Sequence, residues 1–266
     1  MGRWALAVLL ALIAGCGTRR IVTPTDPGAP FPDFAQVHDR QSAQCRGVRS
    51  LTAVLGLAGR AAGESLRGTV HAGFERPASM RLEHRIGPFG TLGFVLVAQD
   101  GQGTLWLPRD QRVVRNASAT DIVAALTGLP LGAADLQAIL TGCVLPSPTP
   151  VSGRRHGNGW VSVVLDGGAT LYLEPQGNTW RLRAAERENV RVEYAEWPDS
   201  SAFPARIELR SEAPVQVELR LSVSQVETNV DLEAAAFTIE GIPAGTPVIT
   251  VEELRANGPL RGDVEP

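Results

Sequence analysis

The chain has 266 residues, 44% of them hydrophobic and 20% charged, which is enough to bury a core of its own. A net charge of −3 argues against a nucleic-acid binder that works through a basic surface. All 25 basic residues are arginine, so chemistry that needs a lysine Schiff base or a P-loop lysine is excluded.

Arg3 opens the chain with a positive charge, and the apolar run from Trp4 to Ala14 follows. That run is shorter than the ~20 residues a membrane-spanning helix needs, and it fits the h-region of a secretory signal. It ends in Leu12-Ile13-Ala14-Gly15-Cys16, the pattern of a bacterial lipobox: branched apolar side chains, then small residues that enter a peptidase site, then a thiol that takes up lipid. The alternative is an ordinary signal peptide with an incidental cysteine. On the lipobox reading residues 1–15 are removed and Cys16 is the lipidation site. Acyl chains at ~0.8 kcal/mol per buried CH₂ then hold the protein on a membrane. Gly17, rather than aspartate, follows the cysteine, as in diderm lipoproteins sorted to the outer membrane. The expected location is therefore the outer membrane, lipid-anchored and facing the periplasm. Residues 16–33, with Pro24, Pro27, Pro30 and Pro32, read as a tether of polyproline II character that lets the folded part, 34–258, stand off the bilayer. Residues 259–266 read as a tail.

The folded part opens with an amphipathic helix over Phe34–Arg46, with Asp33 as its N-cap. Strands follow. Leu51, Ala53, Leu55 and Leu57 share one parity; Leu66, Val70, Ala72 and Phe74 alternate with polar residues; Met80, Leu82 and Ile86 do the same. A further hairpin joins Leu92–Ala98 to Thr104–Leu107 around Asp100-Gly101. Because Phe94, Val95, Leu96 and Val97 are apolar on both faces, one face of that strand should lie under helices and the other should meet solvent or a partner. Thr120–Gly128 and Ala133–Thr141 are short helical patterns separated by Leu129-Pro130-Leu131-Gly132. Residues 146–159, rich in proline, glycine and serine, read as a flexible connection.

Strands then resume over 160–166, 170–174, 180–186, 190–197, 205–211 and 215–223, the last with Val215, Val217, Leu219, Leu221 and Val223 on one side. Phe237 and Ile239 suggest one more, and 251–256 a terminal helix stopped by Asn257-Gly258-Pro259. About eleven antiparallel strands with helices inserted halfway define a mainly β, α+β fold: one curved sheet forming an incomplete barrel, its inner face covered by the helices.

Cys45 and Cys143 remain once Cys16 is set aside. In an exported protein such a pair suits a disulfide; two free buried thiols are the alternative. His71 and His84 lie on adjacent strands, but matching the apolar sets sends them to opposite faces, so they form no joint metal site. His38 falls in the first helix and His156 in the flexible connection. Glu186, Glu188, Glu193 and Glu196 alternate with arginines and read as a solvated sheet face. No zinc-ligand spacing, nucleophile elbow or phosphate-binding glycine loop is present. No enzyme activity, metal or cofactor is expected.

Between Arg85 and Cys143 the chain resembles the LolB family of outer-membrane lipoprotein receptors, within the wider LolA/LolB-like superfamily. Three pieces carry the resemblance: the tip Gly87-Pro88-Phe89-Gly90 followed by the apolar strand from Leu92, the helix end Ala125-Leu126-Thr127-Gly128-Leu129-Pro130-Leu131, and the helix Ala134–Leu140 with Thr141-Gly142. Residues 146–159 and those beyond Val226 show no match, and the Cys45–Cys143 pairing is not part of the family pattern. The resemblance implies a helix-capped half-barrel around a hydrophobic cavity for acyl chains, with Leu55, Leu57, Val70, Phe74, Leu82, Phe94, Leu96, Leu126, Leu136, Ile139, Val217 and Leu219 as its lining. It also implies that Phe89, assisted by Leu92, is a membrane-insertion tip; the alternative for Phe89 is a side chain folded back onto the core.

Two functions follow as expectations. The first is a lipid-anchored protein that binds the acyl chains of lipoproteins or other envelope lipids, helps deliver them to the outer membrane, and receives cargo from a periplasmic carrier protein. The other is a structural or sensory envelope lipoprotein whose half-barrel binds a protein partner.

Overall fold

Period-2 alternation along most of the chain yields one antiparallel sheet with a single apolar side. The computed structural model describes residues 20–143, 149–177, 179–198 and 201–257. The signal segment, Cys16 and the 259–266 tail lie outside the described residues. The described residues form fourteen strands in one sheet. The first seven are β1 (Ala29–Pro30), β2 (Ser50–Ala61), β3 (Glu64–Glu75), β4 (Ser79–Ile86), β5 (Thr91–Gln99), β6 (Gln102–Leu107) and β7 (Arg112–Ser118). After two helices come β8 (Pro150–Arg155), β9 (Val161–Leu165), β10 (Thr170–Gln176), β11 (Thr179–Arg187), β12 (Val190–Glu196), β13 (Arg206–Ser211) and β14 (Val217–Thr228). Their spatial order is β1-β8-β9-β10-β11-β12-β13-β14-β2-β3-β4-β5-β6-β7, so the first hairpin run is joined to the second through β14 and β2, and the sheet stays open.

Register makes the inner face continuous. Leu171 lies opposite Ala185, Val192 opposite Leu209, Leu209 opposite Leu219, Leu55 opposite Val70, His84 opposite Phe94 and Leu96 opposite Leu105. Helix α1 (Phe34–Arg46) packs on β8, β9 and β11. Asp33 sits at its N-cap position without a side-chain cap bond. Helix α2 (Ala119–Thr127) starts from Ser118, whose hydroxyl accepts from the Asp121 amide (3.3 Å), and buries Ile122, Val123 and Leu126. Helix α3 (Ala133–Leu140) runs back after a short turn, its start fixed by Asp135 accepting from the Gly132 amide at 2.7 Å. Cys45 and Cys143 are bonded, with Cα atoms 6.3 Å apart, which ties the end of α1 to the end of α3.

Several elements differ from the sequence expectation. The sheet has fourteen strands rather than about eleven. Strand β7 was not anticipated because Val113 and Val114 break the alternation, Asn116 takes a positive φ, and the pairing with β6 is irregular. Strand β8 lies inside the stretch read as a flexible connection. It is mostly exposed and polar, as suits a strand beside the sheet edge. Phe237 and Ile239 form no strand; residues Ala234–Phe237 make a 3₁₀ turn packed on β4 and β5. That turn buries Phe237, and Val95 and Val97 are buried too, so the outward face of β5 meets neither solvent nor a partner but the chain's own C-terminal segment.

The same segment then runs beside β7, where the Val113 amide donates to the Pro247 carbonyl (3.0 Å) and the Ile249 amide to the Val113 carbonyl (2.9 Å). It ends in helix α4 (Val251–Asn257), which packs against α2. The N-terminal stretch is no free tether from Arg20 onward. Ala29–Pro30 pair with β8, and Phe31 is buried against Trp180.

Candidate functional site

The helical hairpin α2–α3 crosses the inner face and turns at Gly128–Gly132. Beneath this turn is a cavity of about 240 Å³. Leu129, Leu131 and Ile139 roof it; Ala185, Val192 and Tyr194 floor it; the hairpins at 186–190 and 211–214 form its rim. Tyr194 is fully buried, and its hydroxyl donates to the Cys143 carbonyl at 3.3 Å. Burial pushes the phenol pKa up, so the floor carries no charge at neutral pH. Charged groups in the lining are Glu186, Arg187 and Glu188 on the rim hairpin and Asp135, whose carboxylate is held by the Gly132 amide. An uncharged apolar interior with a charged mouth suits a chain-shaped apolar guest with a polar head. The volume falls just under the ~300–1,000 Å³ of pockets that enclose a whole small ligand, so one acyl segment fits and several chains do not.

Among the expected lining residues, Ile139 borders this cavity. Leu55, Val70, Phe74, Phe94, Leu96, Leu126, Val217 and Leu219 are buried in the core cluster, while Leu57, Leu82 and Leu136 are partly buried against it. Most of the expected lining is therefore packed core, and the cavity that Ile139 borders lies toward β11–β14. Sequence reasoning passed over Tyr194, Ala185 and the 211–214 hairpin. Alternation marks Tyr194 as inward, but nothing in the sequence marks where two helices leave a gap.

Phe89 is 96% exposed at the β4–β5 tip, and Leu92 is partly buried beside it. Gly87 and Gly90 both take left-handed φ values, 70° and 64°, and the Gly90 amide closes the turn on the Gly87 carbonyl (3.2 Å), which throws Pro88 and Phe89 outward. Register places this tip and the cavity mouth at one end of the sheet. Ala61 pairs with both Glu64 and Val217, Val190 with Ser211, and Thr69 with Arg85, so the turns at 62–63, 87–90, 188–189 and 212–216 share that end.

His84 faces inward and His71 outward, since His71 lies opposite Glu83 and His84 opposite Val70. His84 is 2% exposed and stacks near Phe94, ring centroids 5.1 Å apart. The ring lies over glycines on both neighbouring strands: a Cβ at Gly68 would stand 2.5 Å from Nε2, and one at Gly93 2.8 Å from Nδ1. Burial lowers its pKa, and the Arg67 carbonyl opposes this only in part. Neither His38 nor His156 joins it. His38 is buried in α1, and His156 bonds Ser162 at 2.9 Å. Of the acidic residues read as a solvated face, Glu193 is 2% exposed on the outer side, paired to Arg191 (2.7 Å) and Arg210 (3.3 Å).

An open antiparallel sheet, helices on its inner side and an apolar cavity between them define the fold class. Among solved structures, the chain has the fold of a LolA superfamily protein from Nitrosomonas europaea, at TM-score 0.53 and 12% identity over 77% of this chain and 98% of that one. A putative outer membrane lipoprotein-sorting protein domain from Vibrio parahaemolyticus aligns at TM-score 0.49 and 10% identity, covering 76% of this chain and 95% of its own. Lipoprotein LppX from Mycobacterium tuberculosis aligns at TM-score 0.33 and 13% identity, covering 76% and 99%. No protein-family model and no curated protein matches.

Proposed function

We propose that the protein is a lipid-anchored envelope protein, attached through Cys16 to the outer membrane and facing the periplasm, that binds acyl chains of lipoproteins or other envelope lipids and passes them to the bilayer. On this reading residues 1–15 are the removed signal, Cys16 bears the anchor, and the sheet with its helices is a single binding domain that takes cargo from a periplasmic carrier. The observation that carries it is the uncharged cavity over Tyr194 opening at the same sheet end as the exposed Phe89. Hydrophobic transfer supplies the energy without chemistry: a chain of ~14 methylenes hides about 11 kcal/mol of unfavourable hydration. A difference of only 1.4 kcal/mol between donor and acceptor biases delivery tenfold. Cargo larger than one acyl segment requires the Leu129–Leu131 turn to lift from the β11–β14 rim.

The chain from residue 20 is incubated with a fluorescent acyl probe. Saturable binding that Ile139→Trp abolishes supports the reading; absence of saturable binding removes it. The second reading, a half-barrel that binds a protein partner, is favoured by one observation, the packing of Leu55, Val70, Phe94, Leu96, Val217 and Leu219 into the core cluster rather than around open space.

A further inference from the structure

The segment before α1 is pinned along the outer face of the sheet rather than swinging from it. The Ile21 carbonyl accepts from Arg191 at 3.0 Å, the Ile21 amide reaches Glu193 at 3.5 Å, and the Thr23 hydroxyl lies 3.3 Å from Arg191. Five residues on, the Asp26 carboxylate stands 3.4 Å from the His156 ring and accepts from the Gly157 amide at 3.4 Å. Desolvation alone would raise the Asp26 pKa, but the Gly157 amide and His156 together hold it below its usual value. Arg154 then binds the carbonyls of Pro27 and Gly28, the latter at 3.0 Å. Phe31 completes the attachment, buried beneath the Arg155 guanidinium at 4.6 Å. A proline-rich extended backbone makes no hydrogen bonds within itself, so its carbonyls are free for arginines on the sheet to bind.

We infer that residues 20–31 are an orienting strap whose docking turns the cavity mouth and the Phe89 tip toward the bilayer that holds the protein's own anchor. This rests on the proposed lipidation of Cys16. Undocked, the eighteen residues from Cys16 to Phe34 would reach roughly 55 Å at ~3.1 Å each, further than the ~45 Å width of a domain this size, and any face could meet the membrane. Docked, Cys16 lies five residues before Ile21, within about 18 Å of the Arg191–Glu193 seat at ~3.5 Å per residue. That seat is on the outer face of β12, next to the 188–189 turn whose inner side is the cavity rim. One hairpin thus carries the strap on one face and the mouth on the other, and a reach shorter than the domain selects that end.

The test uses full-length lipidated protein in phosphatidylethanolamine–phosphatidylglycerol vesicles, with a polarity-sensitive fluorophore on Phe89→Cys. One variant replaces residues 20–28 by a Gly-Ser segment of equal length; a second is Arg154→Gln, which leaves the inner face untouched. The native strap should give a blue-shifted probe, and the Gly-Ser variant should lose more than half of that shift, with a smaller loss for Arg154→Gln. The amide at position 21, which donates to Glu193, and the Phe31 amide, which donates to the Gly153 carbonyl at 2.9 Å, should exchange slowly in the native chain and at least tenfold faster in the Gly-Ser variant. An unchanged shift in the Gly-Ser variant, or fast exchange in the native chain, overturns the strap. A shift that appears only when a second protein is added overturns the bilayer as its partner. Acyl-probe binding by the unanchored chain is read separately, so loss of the cavity function and loss of orientation give different results.

Discussion

Phe89 and His84 lie on the same β-hairpin and show how neighbouring aromatic rings are put to opposite uses. Phe89 makes no packing contribution that its removal could cost, being 96% exposed. Phe89→Glu should therefore leave the thermal midpoint within about 2 °C, because surface changes stay within ~0.5 kcal/mol. The same substitution should lower vesicle co-sedimentation of the unanchored chain at least tenfold, since a charge replaces the apolar tip; unaltered co-sedimentation would remove Phe89 from the membrane contact. His84 is buried without a hydrogen-bond partner of normal geometry among the described residues. Its lowered folded pKa fixes the sign of a pH effect. Below the unfolded value of ~6.5 the unfolded chain binds a proton that the folded chain resists, so stability falls as pH drops from that point toward the folded pKa. His38, lowered by burial as well, adds to the same slope. Denaturant midpoints at pH 7.5 and 5.5 should differ less in His84→Phe than in the native protein, and an identical slope would show that His84 does not titrate there.

At the scale of elements, what the sequence discloses depends on how regular each strand is. Strand β14 alternates from Val217 onward, with Val217 and Leu219 buried between exposed Glu218 and Arg220, and its inward and outward faces could be read directly, though not its pairing with β2. The helices α2 and α3 were legible for the same reason, through Ile122, Leu126 and Ile139 at helical spacing. Strands β7 and β8 were not, because one breaks alternation at Val113-Val114 and the other buries almost nothing. The cavity was hidden more deeply. Each of the residues around it looks like an ordinary core position, and only the packing of the α2–α3 turn against Val192 and Tyr194 decides which of them face empty space. The disulfide sets that packing from the far end of α3. Closing a loop of 98 residues corresponds to about 4–5 kcal/mol in the chain-entropy model. Reduction should lower the unfolding free energy by a large part of that amount and weaken acyl-probe binding, as α3 loses its tie to α1. Paired calorimetry and probe titration with and without reductant would check this, and equal binding in both states would detach the cavity from the bridge.

For the whole molecule the governing problem is an open sheet, which leaves two edges and an outer face to be protected. The inner face is covered by helices, as the alternation required. The outer face is covered by chain ends that carry no regular pattern, and this is why both were misjudged from sequence. Residues 20–31 cross β8–β12, and residues 229–257 cross β2–β7. Asn229 starts the second crossing, its amide donating to the Ser50 carbonyl (2.9 Å) and its side chain accepting from the Arg49 amide (2.9 Å). Arg81 then holds the Ala236 and Thr238 carbonyls at 3.2 and 2.9 Å. An unprotected β7 would present free backbone groups to another chain, and the Val95–Val97 face would become an exposed apolar patch. Ending the chain after Thr228 should therefore expose both at once while leaving all fourteen strands present. The expected result is a protein that forms higher oligomers in size-exclusion chromatography and binds a hydrophobic dye more strongly. Restoring only residues 229–240 should cover Val95 and Val97 and remove the dye binding, yet leave β7 open and the oligomers in place. If the short form remains monomeric and dye-free, the C-terminal crossing is dispensable, and the sheet protects its far edge by the twist and charge of β7 alone.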